Sequence, residues 1–195
     1  MGTGSQWSRD KVYLRAKHEG FRSRASFKLI EIQEKFAIIR RDDNVIDLGA
    51  APGSWLQVLR TLTEGRVLGI DLNPIAALDG IETIEGDITD PAIQQRAHEM
   101  LGSVSVVVCD AAPKLSGHKS YDQARAIALG EEALSFACNV LKPGGNFVIK
   151  SFQGADFPEL FALIKEHFRA VKTYSTKATR KGSTEIYIIG KNFKG

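Results

Sequence analysis

Four aspartates stand where apolar runs end: Asp47 in Val45-Ile46-Asp47-Leu48, Asp71 closing 66–71, Asp87 in Gly86-Asp87-Ile88, and Asp110 closing 103–110. In an open α/β sheet, ligands gather at the carboxyl ends of strands. A carboxylate there accepts hydrogen bonds from ribose hydroxyls, and one further along can take an adenine amino group, with Ile88 against the ring. A cation joins them. Lys150 ends the apolar run Val148-Ile149-Lys150-Ser151. Lysine is seldom buried unpaired, so at that place it either makes a structural ion pair with Asp110 or is aimed at a reacting atom. Two further charges lie far off in sequence: Glu185 opens the last apolar run, EIYIIG, and Lys28 lies between Phe27 and Leu29 on a helical stretch. Taken alone, Lys28 reads as a surface lysine.

The turn after the first run, Gly49-Ala50-Ala51-Pro52-Gly53, leads through Ser54 and Trp55 into a helix. Glycine at 49 and 53 lets backbone approach a ligand closely. A dinucleotide fingerprint starting at Gly49 requires glycine at 51 and 54, where Ala51 and Ser54 stand. The glycines that cradle a pyrophosphate are missing, so the turn suits a nucleoside cofactor without phosphate.

Elements that could position these groups follow from periodicity. Strands are expected at 44–48, 66–71, 81–84, 103–110, 146–151, 171–175 and 185–190, with helices between most of them. Asp90-Pro91 reads as an N-cap and first helical position, and Lys142-Pro143-Gly144-Gly145 as the stop of a helix over 122–141. The alternation predicts an α/β, doubly wound, mostly parallel seven-stranded sheet. The last two strands have only a basic loop between them, so one of them must be antiparallel. Two extra N-terminal helices, near 8–18 and 23–35, lie outside the sheet.

Charge is unevenly spread. Residues 1–42 carry a net +5, 165–195 a net +6, and 43–164 a net −8. Basic ends with interleaved aromatics (Trp7, Tyr13, Phe21, Phe27, Tyr174) suit a polyanion with bases to stack on. Arg22, Arg24, Lys177, Arg180 and Lys181 are the expected phosphate contacts. Cys109 and Cys138 read as buried free thiols of a reducing, cytoplasmic setting. His18, His98, His118 and His167 lack metal-ligand spacing, so no metal is expected. No apolar run reaches membrane length, and the 195 residues suggest one domain, 1–195. Length and composition say nothing of oligomeric state; a monomer is expected because one catalytic domain needs no partner to complete its site.

The stretches FRSRASFKLIEIQEKF (21–36), VIDLGAAPGSW (45–55), GIDLNP (69–74), EGDITD (85–90), CDAAPKLSG (109–117), LKPGGNFVIKSFQG (141–154) and STEIYIIG (183–190) together resemble the FtsJ/RrmJ ribosomal RNA 2′-O-methyltransferases over nearly the whole chain. Ser54 departs from the family, which commonly has a second glycine there. The resemblance implies a Rossmann-like class I methyltransferase fold. It implies S-adenosyl-L-methionine as cofactor, S-adenosyl-L-homocysteine as product, and a ribose 2′-hydroxyl, a uridine of large-subunit ribosomal RNA, as acceptor. The partner would be ribosomal RNA or the assembled large subunit. It carries a catalytic quartet onto Lys28, Asp110, Lys150 and Glu185, and cofactor contacts onto Gly53, Trp55, Asp71, Asp87 and Asp110, to which the strand-end positions add Gly49, Ala50, Pro52, Leu72 and Ile88. Lys150 is the expected proton acceptor; whether it takes the proton or stays charged beside a forming alkoxide is left open. Relatives with this quartet also serve a transfer RNA anticodon loop and an RNA cap. A non-catalytic ribosome-assembly module is a further alternative. A base-amine methyltransferase is disfavoured, because Asp110-Ala111-Ala112-Pro113 has no aromatic to stack on a flipped base.

Overall fold

The computed structural model describes residues 11–113, 116–117, 119–180 and 182–195. Trp7, His118, Lys181 and the start of the first expected helix lie outside the described residues. Within them, the alternating pattern becomes α1 (Lys11–His18), α2 (Ser26–Phe36), β1 (Val45–Leu48), α3 (Ser54–Leu62), β2 (Val67–Asp71), β3 (Glu82–Glu85), α4 (Pro91–Leu101), β4 (Val104–Cys109), α5 (Lys119–Val140), β5 (Leu141–Phe152), α6 (Phe157–His167), β6 (Phe168–Tyr174) and β7 (Glu185–Phe193). Among the described residues no helix is long and apolar enough to cross a membrane.

The strands form one sheet in the order β3-β2-β1-β4-β5-β7-β6. β1 to β5 run parallel, and β7 is antiparallel to both β5 and β6. The order reverses between β1 and β4, so the turn at Gly49 and the loop at Asp110 leave the sheet on either side of one crevice, the place where α/β sheets bind ligands.

Helices cover both faces. Residues of α4, α5 and α6 (Leu101, Phe136, Leu160) pack on Ile46, Val107 and Ile149, while α2 and α3 (Leu29, Ile32, Leu56, Leu59) pack on Val45, Val106, Val148 and Tyr187. Each fully buried leucine or isoleucine contributes about 1.5–3 kcal/mol. With Leu29 and Ile32 both fully buried, α2 is anchored to the sheet, and Lys28 is carried inward with them. Asp90 caps α4 as expected, accepting from Ala92 N at 2.8 Å ahead of Pro91.

Two local expectations change. Leu141 already pairs with Val104, and the next pairing is Val106 with Asn146. Residues 142–145 therefore bulge out of β5 rather than form a free turn after the helix. β6 begins at Phe168, three residues early, because that ring is buried and stacks on Phe147 at 5.9 Å. Cys109 is buried and Cys138 is half-buried; both are free thiols.

Candidate active site

At the crevice, β1 delivers Asp47 and then the turn. Gly49 has φ 70°, and a side chain there would meet Ala111 Cβ at 2.4 Å, so only glycine lets the two loops touch. Gly53, with φ 100°, caps α3. The peptide Ala51–Pro52 is cis. Asp71 ties the turn to β2: its Oδ2 accepts from Ala51 N at 2.9 Å, while Oδ1 accepts from Asn73 N and Nδ2. A carboxylate has about four lone-pair directions, so further acceptance from hydroxyls is not blocked. Asp87 Oδ1 closes a small turn by accepting from Thr89 N and Oγ1, each at 2.9 Å. Beside these acids Leu72 is 67% exposed, an apolar surface next to the strand ends, and Ile88 leans on the core.

A cavity of about 50 Å³ lies inside the turn, lined by Asp47, Gly49, Ala50, Pro52, Trp55 and Asp110 among others. Asp47 is its floor. The residue is 1% exposed, and among the described residues neither carboxylate oxygen has a hydrogen-bond partner. Burial, then the charges of Asp110 and Asp71, push its carboxyl well above the usual range. A buried acid without a partner is rare and costly, and a cationic ligand group would satisfy it. The turn glycines, strand-end acids and this orphaned carboxyl fit a cationic nucleoside such as S-adenosylmethionine.

A second cluster of charged groups, the expected quartet, assembles around Tyr187. Lys150 and Tyr187 are register partners on β5 and β7. Lys150 Nζ donates to the Asp110 backbone carbonyl and lies 3.3 Å from Asp110 Oδ1. The Tyr187 hydroxyl donates to the same Oδ1 at 2.6 Å. On its other side, Lys28 Nζ lies 5.7 Å from the Tyr187 ring centre and 2.7 Å from both Glu185 oxygens. The structure therefore brings Lys28, Asp110, Lys150 and Glu185 together as two ion pairs with one ring between them. Lys28 is a buried residue at 7% exposure, not a surface lysine. Burial works against the Glu185 charge, but the hydrogen bond and charge of Lys28, the Thr179 hydroxyl at 2.8 Å and the charge of Lys150 outweigh it and hold the carboxyl below its usual range. Tyr187 is pushed well above the ordinary phenol by burial and by the Asp110 and Glu185 charges, so it remains a donor.

Trp55 links the two clusters. Its Nε1 donates to Ala25 O at 2.8 Å, joining α3 to the entry of α2, and its ring leans on Tyr187 at 5.9 Å. Arg22, expected on phosphates, instead donates to the carbonyls of Pro52, Ala76 and Ala77 at 2.7, 2.9 and 3.1 Å and straps the ligand turn to the segment after β2. Lys177 and Arg180 are exposed on the loop between β6 and β7, and Arg24 is half-buried. Lys181 lies outside the described residues.

Sequence reasoning missed Tyr187, Thr179 and the strap made by Arg22. The EIYIIG alternation could have found Tyr187, since the tyrosine falls two residues after Glu185 on the same strand face. Nothing local marks Thr179 or the strap, because both act on residues distant in sequence.

This sheet order and crevice define a Rossmann-like methyltransferase fold. The family model for FtsJ-like methyltransferase matches residues 21–193, and the chain belongs to that family and is a methyltransferase. It is similar to the protein named ribosomal RNA large subunit methyltransferase E of Methanoregula boonei, at 87% identity over 98% of this chain and 100% of the relative. A relative of the same name in Methanosphaerula palustris is 65% identical over 98% of this chain and 95% of its own. The crystal structure of a ribosomal RNA methyltransferase from Plasmodium falciparum superposes with a TM-score of 0.81 at 27% identity, covering 90% of this chain and 100% of that one.

Proposed function

We propose that this chain transfers a methyl group from S-adenosylmethionine to the 2′-hydroxyl of a ribose, a uridine, in large-subunit ribosomal RNA. The observation that carries the reading is the pair of nearly buried ion pairs, Lys150–Asp110 and Lys28–Glu185, beside the cavity floored by Asp47. The named relatives support the ribosomal substrate.

When bound, the cofactor supplies a methyl on a sulfonium, open to in-line displacement. Asp47, Gly49, Ala50, Pro52, Gly53 and Trp55 would hold its amino-acid end, and Asp71, Leu72, Asp87 and Ile88 its adenosine end. Lys150 Nζ meets the acceptor hydroxyl. In its neutral form it takes the hydroxyl proton, and the carbonyl and carboxylate of Asp110 stabilise the ammonium that results. Tyr187 fixes Asp110 so that this pairing is already oriented. Glu185 holds Lys28 against the tyrosine ring, which keeps that second cation beside the developing charge. Lys177 and Arg180 take phosphates.

The test is methyl transfer from labelled cofactor to free ribosomal RNA and to undermethylated large subunits, followed by digestion to nucleosides. Label in a 2′-O-methylnucleoside supports the reading, and the comparison of the two substrates tells whether RNA alone suffices. Label confined to methylated bases, or absent from both substrates, contradicts it.

A further inference from the structure

A second and larger cavity, of about 450 Å³, opens at the same end of the sheet. Its walls are Pro113, Gly117, Asp122, Gln123, Phe152 and residues 182–184. It shares no wall with the Asp47 cavity, whose lining ends at Asp110. Apart from Asp122 and Gln123, which α5 supplies, its walls continue elements of the reactive centre. Pro113 follows Asp110 in the loop after β4. Phe152 comes two residues after Lys150, about 7 Å along the strand, and is the register partner of Glu185. Thr184 directly precedes Glu185. Asp110 thus lines the first cavity, which fits the methyl donor, and the loop that follows it reaches the wall of the second at Pro113, which is open to whatever bears the acceptor hydroxyl.

The walls have the chemistry of a base site. Phe152 is half-buried, so part of its ring faces the cavity. Unpaired RNA bases are commonly held by stacking on such rings. Gln123 offers an amide donor and an acceptor side by side, the pattern that matches a nucleobase edge. The structure makes room for that amide: a Cβ on residue 154 would meet Gln123 Nε2 at 2.5 Å, and Gly154 has none. Asp122 is spent on shaping the wall, since its oxygens accept from Ser116 N and Oγ and from Gly117 N, which holds its carboxyl below the usual range. A nucleotide whose 2′-oxygen meets Lys150 has its base only a few ångströms away, within reach of Phe152.

We propose that this cavity receives the base of the acceptor nucleotide, stacked on Phe152 and read at its edge by Gln123. The proposal rests on ribose methylation of RNA as the activity.

The experiment uses the full chain and large subunits whose RNA carries, at the position mapped as methylated, either its natural nucleotide or an abasic ribose. Wild type should prefer the natural nucleotide by about tenfold or more in kcat/KM. Phe152→Ala should lose about tenfold on the natural substrate, Phe152→Trp should recover most of it, and the preference over the abasic ribose should shrink toward one in Phe152→Ala. Phe152→Leu keeps apolar volume without a ring face and serves if the alanine variant does not fold; its preference should shrink likewise. Cofactor affinity by calorimetry should stay within about twofold of wild type in each, since a stacking platform for RNA does not touch the donor cavity. Gln123→Leu should accept cytidine and uridine more equally at that position. An unchanged preference in the Phe152 variants, or a wild type indifferent to the abasic ribose, overturns the proposal. A wild type that methylates no ribose at all instead overturns the activity it rests on.

Discussion

The Tyr187 hydroxyl lies 2.6 Å from Asp110 Oδ1 and donates to the carboxylate that also pairs with Lys150. Tyr187 and Lys150 face each other across β5 and β7, while Asp110 reaches in from the end of β4. Three strands therefore converge on one carboxylate. Tyr187 is fully buried, and its face holds Lys28 while its edge fixes Asp110.

Tyr187→Phe removes that donor and little else. A hydrogen bond to a charged group contributes about 1.5–3 kcal/mol, so kcat should fall roughly tenfold to a hundredfold. Cofactor affinity should hardly change. Single-turnover kinetics beside calorimetry would show this split, and equal kcat in the variant would remove Tyr187 from the positioning of Asp110.

Lys28 and Glu185 form a nearly buried pair, with side chains 8% and 12% exposed. Lys28→Met strands the carboxylate and should cost about 3 kcal/mol of stability. Adding Glu185→Leu should restore most of that in urea unfolding but not restore methyl transfer. Because the Glu185 carboxyl is held below its usual range, the pair's stabilisation is present above about pH 4 and is lost as pH falls through the lower, folded value. A double variant with wild-type turnover would make the pair purely structural.

Asp47 has the opposite sign. Its carboxyl is raised by burial and by two neighbouring acids, so the folded chain keeps a proton that the unfolded chain releases. Stability falls as pH rises from about 4 through the folded value. Asp47→Asn should therefore raise the melting temperature of the cofactor-free protein at neutral pH, by about 2–4 °C for each kcal/mol recovered. The gain should vanish near pH 4, about the unfolded value. The same change should weaken S-adenosylmethionine binding about tenfold. Thermal melts across pH, with and without cofactor, check both halves; a variant no more stable at neutral pH would contradict the buried-acid assignment.

Arg22 and the exposed cations of the β6–β7 loop should separate in a salt titration. Arg22→Ala frees three carbonyls of the ligand turn and its neighbour, and should weaken cofactor binding. The slope of RNA affinity against salt should stay as it was. Lys177→Ala and Arg180→Ala should each reduce that slope by about one while leaving cofactor affinity intact. An unchanged slope in the latter pair would place the RNA elsewhere.

Much of this is legible in the amino-acid sequence. The parallel core followed from apolar runs, and the crevice from the glycine turn and the acids at strand ends. Asp110 and Lys150 stood out because lysine rarely ends an apolar strand. Lys28 and Glu185 did not, since each becomes informative only when α2 folds against β7, 157 residues apart in sequence. Their place came from the family resemblance. The basic residues were the least legible. Composition marks Arg22 as a cation, yet only the fold brings the carbonyls of Pro52, Ala76 and Ala77 together around it. The bulge at 142–145 and the early start of β6 likewise depend on pairing partners, Val104 and Phe147, that local pattern does not reveal.

The most direct measurement maps the methyl group on RNA from large subunits incubated with wild-type protein, and with Lys150→Ala, in labelled S-adenosylmethionine. The expected result is a single labelled position whose 3′ phosphodiester resists alkali, because its 2′-oxygen is blocked, and no such position with Lys150→Ala although that variant still binds cofactor. An alkali-sensitive labelled nucleotide, or undiminished labelling by Lys150→Ala, would contradict methyl transfer to the ribose by this centre.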